Sequence, residues 1–161
     1  MKCNILFVIL QIAMKDTTVL DSLVGNASHI SIVVHTHPDG DAIGSGTAML
    51  CYLTQSRGKD AALIVPDSIP DSISFITRGA ADGSILVFDE EKERASARIN
   101  ASDLIICLDC NSFSRTSGME DALRQSKAPK VLIDHHLNPD IEAFGLVFSE
   151  TEVSSASELL F

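Results

Sequence analysis

Short apolar runs alternate along the chain with longer segments of helical spacing, and this alternation sets the expected fold. Residues 30–34, 61–65, 84–88, 104–108 and 131–133 are nearly continuous runs of Val, Ile, Leu, Phe and Ala. Such runs mark strands covered on both faces, whereas half-exposed strands alternate apolar with polar positions. Between them, residues 42–52 read as a helix after the first strand, 71–76 as a brief helix, and the charged run 89–94 as a solvated helix face. Residues 115–126 are helical in character until Pro129 breaks the pattern. Ahead of the first strand, Val19, Leu20, Leu23 and Val24 share a helical face that Gly25 would end. Strands separated by helices predict an α/β domain: a parallel, Rossmann-like sheet of about five strands with helices on both faces.

Parallel strands point their carboxyl ends the same way, and here those ends carry the polar residues. The first strand runs into His35-Thr36-His37-Pro38-Asp39-Gly40-Asp41, the fourth ends on Asp109, and the fifth on Asp134-His135-His136. All should gather along one edge of the sheet, where open α/β sheets place their ligands. The helix that follows Asp41 would aim its free amides at the same place, and the small residues Gly44, Ser45 and Gly46 would let a phosphate or another backbone come close. His37 reads as an exposed loop residue and His29 as a strand-edge residue without further signal.

Composition adds limits. At 161 residues and 45% hydrophobic content the chain suits one domain with a sizeable core. A formal net charge of -10 excludes a broad basic face for nucleic acid but not a small phosphorylated substrate. Cys3, Cys51, Cys107 and Cys110 are scattered, so no disulfide framework is expected and a reducing cytoplasm fits. Cys107 and Cys110 have C-x-x-C spacing, but in an apolar setting without a second ligand pair they read as core. Residues 1–14 have a basic start, an apolar centre at 5–10 and Ala13, the outline of a short leader too brief to span a bilayer. Nothing downstream looks extracellular, so residues 1–13 are read as a non-conforming extension to a domain at 14–161, dispensable for its fold.

Carboxylates mixed with imidazoles, with Cys110 the sole thiol nearby, suit manganese or magnesium better than structural zinc. The ligands are too many for one ion. Asp39 and Asp41 flank Gly40 and can reach different ions, while Asp109 can bridge two with its two oxygens. Two cations roughly 3.5–4 Å apart clamp an in-line displacement at phosphorus, so phosphoester hydrolysis is the natural chemistry. Each residue also has a plainer role. Taken singly, Asp41 or Asp109 after a strand is as readily a turn former or helix cap. The coincidence of three such strand ends carries the argument.

The pattern resembles the DHH phosphoesterase family, named for the triplet present here as Asp134-His135-His136. His35-x-x-Pro38-Asp39-x-Asp41-Ala42-x-Gly44-Ser45 is similar to its first motif and Asp109 to the aspartate of its second, so the likeness runs from about Ile30 to the end of the chain. The Ala-x-Gly-Ser ending is most similar to the oligoribonuclease and phosphoadenosine-phosphate (PAP) phosphatase branch, the nanoRNases, with cyclic-dinucleotide phosphodiesterases and RecJ-like exonucleases nearby. Manganese-dependent pyrophosphatases share the layout but usually differ in this loop. The resemblance implies two Mn2+ ions, with Mg2+ as a substitute, one held by His35, Asp39 and Asp109 and the other by Asp41, Asp109 and His135. It further implies that His136 contacts substrate or the attacking water, that Asp134 orients the histidines, and that Gly44 and Ser45 line the substrate site.

The sequence departs from the family in lacking a fourth motif with a further metal-binding aspartate and a second domain whose glycine-rich, histidine-containing motif grips the substrate. It is therefore read as a DHH catalytic domain truncated before those parts, which would normally be supplied in cis. The expected protein is a cytoplasmic hydrolase of short oligonucleotides or small nucleotides, with no membrane partner and a homodimer among the admissible states. The alternative class is a non-catalytic metal- or nucleotide-binding module that needs a partner domain. Reading the genome beyond Phe161 separates the two.

Overall fold

The computed structural model describes residues 17–160, so the expected extension at 1–13 lies outside the described residues. Among the described residues there are six strands: β1 (His29–Val33), β2 (Asp60–Val65), β3 (Ile85–Val87), β4 (Leu104–Leu108), β5 (Lys130–Asp134) and β6 (Leu146–Ser149). All pairings are parallel, in the order β3-β2-β1-β4-β5-β6. The helices are α1 (Thr17–Asn26), α2 (Gly40–Cys51), α3 (Lys92–Asn100), α4 (Glu120–Gln125) and α5 (Ala156–Leu160).

The five expected strands and their parallel arrangement are found, and the sheet has one strand more. β6 is only four residues long, half-buried throughout, and adds to β5 at the sheet edge. Several helical segments differ in kind. Residues 71–76 fall in turns and the start of a 3₁₀ segment at Ser74–Gly79, and 115–126 divide into a 3₁₀ stretch at Phe113–Met119 and the short α4. Ser117 inside that stretch has φ 51°, which breaks helical continuity. α1 runs through Gly25 to Asn26 instead of stopping before it. α2 continues through a π-helical turn at Tyr52–Ser56.

Side chains of successive strand residues leave on opposite faces of the sheet, and each face has its own core. Leu104, Ile106 and Leu108 of β4 join Ile30 and Ile32 of β1 in a cluster with Val24 of α1 and Ile43 and Leu50 of α2. Ile105 and Cys107 face the other way, among Ala95 and Ile99 of α3, Phe113 and Met119 of the 3₁₀ stretch, and Leu123 of α4. Helices thus cover both faces. α2 lies close to the sheet because position 46 has no side chain: a Cβ on Gly46 would sit 2.9 Å from Cδ1 of Leu63. Cys107 and Cys110 are buried free thiols. Burial raises the Cys107 thiol well above its ordinary range and that of Cys110 to about 12, so neither is a thiolate near neutral pH. No helix among the described residues is long and apolar enough to cross a membrane.

Candidate metal centre

The strand order places the polar strand ends together. β1 and β4 are neighbours, yet β1 leads away to β2 and β3 on one side and β4 to β5 and β6 on the other. The two connections diverge at the carboxyl ends of β1 and β4 and open a crevice there. Register then sets who meets whom. Val33 pairs with Cys107, so His35 and Asp109, each two residues further on, are level. Leu108 pairs with Ile133, and the Asp109 N–H donates to the Ile133 carbonyl, which brings Asp134 and the following histidines alongside.

Asp109 is the hub. Its Oδ2 lies 3.3 Å from His35 Nε2, and its Oδ1 lies 3.4 Å from both His135 Nε2 and His136 Nδ1. The residue is 1% exposed and holds φ at 53°, a left-handed conformation that aspartate tolerates better than most residues but that still costs energy. Among the described residues no donor reaches Oδ1 in hydrogen-bond geometry, although the atom is buried. A buried carboxylate oxygen without a partner is expensive. The ligand atoms around it fall into two groups, His35–Asp39–Asp109 and Asp109–His135–His136, each with its members within 4.8 Å. Oxygen and imidazole donors converging on an unsatisfied carboxylate fit a divalent cation of the hard to borderline class, so the residues present suit the metal their chemistry implies.

The loop after β1 is fixed by its own hydrogen bonds. Asp39 is the N-cap of α2: its Oδ1 accepts from the Asp41 and Ala42 N–H groups at 2.9 and 3.1 Å. Partial burial would raise the Asp39 pKa, but those two amides outweigh it, and the carboxyl sits below its ordinary value. His35 is nearly buried, with Nδ1 bonded to the Thr36 carbonyl at 2.7 Å, which leaves Nε2 for the cluster. Burial works against its charged form, yet Asp109 and the Thr36 carbonyl together prevail and raise its pKa above 6.5. His136 donates through Nδ1 to Asp134 Oδ1 at 2.8 Å, and its backbone N–H donates to Oδ2 of the same fully buried carboxylate.

Of the residues singled out from the sequence, His35, Asp39, Asp109, His135 and His136 converge, and Asp134 lies behind His136. Asp41 is close, with Oδ2 3.7 Å from His135 Nε2, but falls outside both ligand groups and caps α5 through bonds to Ala156 and Ser157. Ser45 does not face the crevice: it is fully buried, and its hydroxyl bonds the Ala42 carbonyl in its own helix. Gly44 faces Ser157, not open space. His37 is an exposed loop residue whose side chain is 92% accessible. Three contributors were missed. Asp67, just beyond β2, accepts the His37 N–H with both carboxylate oxygens at 2.9 Å. Arg115 accepts the Thr36 N–H through its carbonyl at 2.7 Å, and its charge opposes protonation of His35. Ser157 reaches Asp41. Only the turn-forming Pro66-Asp67 offered a local signal for any of them.

A crevice at the divergence of a parallel sheet, ringed by aspartates and histidines from three strand ends, defines a DHH-type domain. The family model described as "DHH family, N-terminal domain" matches residues 29–161, and the chain belongs to that family. Among curated proteins it is 28% identical over 150 residues to the cyclic-di-AMP phosphodiesterase GdpP of Bacillus subtilis strain 168, covering 88% of this chain and 22% of that protein. The GdpP of Geobacillus thermodenitrificans strain NG80-2 is 28% identical over 145 residues with the same coverage. The crystal structure of an exopolyphosphatase-related protein from Bacteroides fragilis superposes with a TM-score of 0.82 at 37% identity, over 88% of this chain and 40% of that one. The chain thus spans about a fifth of the length of the curated relatives it matches.

Proposed function

We propose that the chain is the metal-binding domain of a phosphoesterase, a hydrolase that works with a pair of divalent cations, manganese by preference and magnesium as a substitute. The observation that carries this is the Asp109 carboxylate, buried and unsatisfied at Oδ1, with one oxygen toward His35 and the other toward His135 and His136. His35, Asp39 and Asp109 would hold one ion, and Asp41, Asp109 and His135 the other. Bound there, two cations would supply Lewis acidity at a phosphoryl group. Asp134 fixes the His136 tautomer by accepting from Nδ1, which leaves Nε2 as the nitrogen free to meet a substrate oxygen or a water.

The substrates in view are short oligonucleotides and small nucleotides: nanoRNA, phosphoadenosine phosphate and cyclic dinucleotides. The names of the relatives support a phosphoester or phosphoanhydride substrate, and the net charge of -10 disfavours long polyanions that need a basic track. This also ranks a RecJ-like exonuclease below the small-substrate reading. A second reading is a non-catalytic module that binds metal and nucleotide; the chain matches 22% of the curated relatives' length, so their whole activity does not carry over to it by similarity alone. Hydrolysis of a dinucleotide, cyclic-di-AMP and phosphoadenosine phosphate with manganese tests the proposal. Release of product that depends on manganese and disappears in Asp109→Asn supports it. Turnover untouched by that change would place the chemistry elsewhere.

A further inference from the structure

The final helix begins with bonds that cross most of the chain. α5 starts at Ala156, and its first turn is partly organised from within: Ser155 Oγ accepts the Glu158 N–H at 3.1 Å, while Glu158 Oε2 accepts from the N–H and hydroxyl of Ser154 at 3.0 and 2.8 Å. The N–H groups of Ala156 and Ser157 take no partner in that turn and donate to Asp41, 115 and 116 residues away in sequence. The two Asp41 oxygens are treated differently. Oδ1 accepts both the Ser157 N–H at 3.0 Å and the Ser157 hydroxyl at 2.5 Å. Oδ2 accepts the Ala156 N–H at 2.7 Å and lies 3.7 Å from His135 Nε2. Ser157 therefore occupies one oxygen and leaves the other toward the cluster. Gly44, one helical turn beyond Asp41, packs beside it: a Cβ there would lie in ordinary contact, 3.6 Å from the Ser157 hydroxyl. The segment is tied to the centre a second time, since the Glu150 N–H donates to the Asp134 carbonyl.

We propose that Ser157 is a positioning residue of the metal centre, its hydroxyl holding the Asp41 carboxylate so that Oδ2 serves the ion shared with Asp109 and His135. The inference rests on the metal-binding reading above. Loss of a group that orients a ligand carboxylate typically costs about 10–100-fold in metal affinity. A cap with a merely structural role would change stability and leave the ions alone.

Calorimetric titration of the 161-residue chain with manganese chloride, against Ser157→Ala and Ser157→Thr, tests this. The parent should bind two ions. Ser157→Ala should keep one at parental affinity and bind the other at least about tenfold more weakly. Ser157→Thr, which restores the hydroxyl, should recover the second. Should Ser157→Ala fail to fold, Ser157→Val against Ser157→Thr gives the same comparison at matched volume. Two ions bound equally well by parent and Ser157→Ala, or both ions weakened alike, would overturn this inference alone. A parent chain that binds fewer than two would overturn the metal reading and this inference with it.

Discussion

His35 shows how one side chain can couple protons, stability and metal. In the metal-free chain its pKa is raised in spite of burial, by Asp109 and the Thr36 carbonyl. A group whose folded pKa exceeds its unfolded value adds stability that is complete below the unfolded pKa and is lost as pH rises through the folded one. The window here opens at about 6.5, the ordinary histidine value, and closes above the raised one. Urea unfolding of metal-free chain across that window should therefore show stability falling as pH rises. His35→Gln should remove that part of the slope. A parental slope of the opposite sign, or one unchanged in the variant, would remove His35 from the account. Manganese needs the neutral ring, so its binding should tighten over the same rise in pH.

At the scale of elements, the contact of α2 with the sheet predicts the cost of a methyl group. Gly46→Ala places a carbon 2.9 Å from Leu63, and either the helix lifts or Leu63 leaves its rotamer. Overpacking of this kind costs about 1–3 kcal/mol, offset in part by the better helix propensity of alanine. Thermal unfolding should show a midpoint roughly 2–8 °C lower for a chain of this size. No change would mean that α2 can shift freely.

The same elements mark what the sequence could and could not convey. β1, β2, β4 and β5 were legible because each is an apolar run buried on both faces, a local property of the chain. β6 escaped because four half-buried residues at an edge carry neither a long run nor an alternation. The helical character of residues 115–126 was legible, but not their division, because periodicity does not report the positive φ at Ser117. His35, Asp39, Asp109 and the histidine pair were legible because strand ends in a parallel sheet meet by topology. Asp41 was harder. It sits in the same motif, but its partner Ser157 is 116 residues away in a helix whose position no local pattern encodes. Ser45 was misplaced because the face a helical residue presents depends on how the helix is rotated against the sheet, and Ser45 is turned inward.

For the whole molecule, the sheet's divergence point gathers negative charge. Asp39, Asp41, Asp109 and Asp134 meet there in a protein already at -10, so bound cations should stabilise the folded state. At a manganese concentration of 100 times the dissociation constant, one site contributes about 2.7 kcal/mol, or a rise of roughly 5–10 °C in midpoint. Asp109→Ala, which weakens the site at least about tenfold, should cut the rise to about half or less. Catalysis is a separate matter: positioning of substrate is worth roughly 7–11 kcal/mol of barrier in well-held reactions, and bound cations supply only part of it.

Whether one buried aspartate spans two metal sites is the claim on which the rest depends, and a calorimetric comparison of parent and Asp109→Ala addresses it directly. The parent should take up two manganese ions. The variant, with its shared ligand removed and its fold checked by circular dichroism, should weaken at both sites by at least about tenfold, as loss of a ligand requires. Two ions bound at parental affinity by Asp109→Ala would contradict the account.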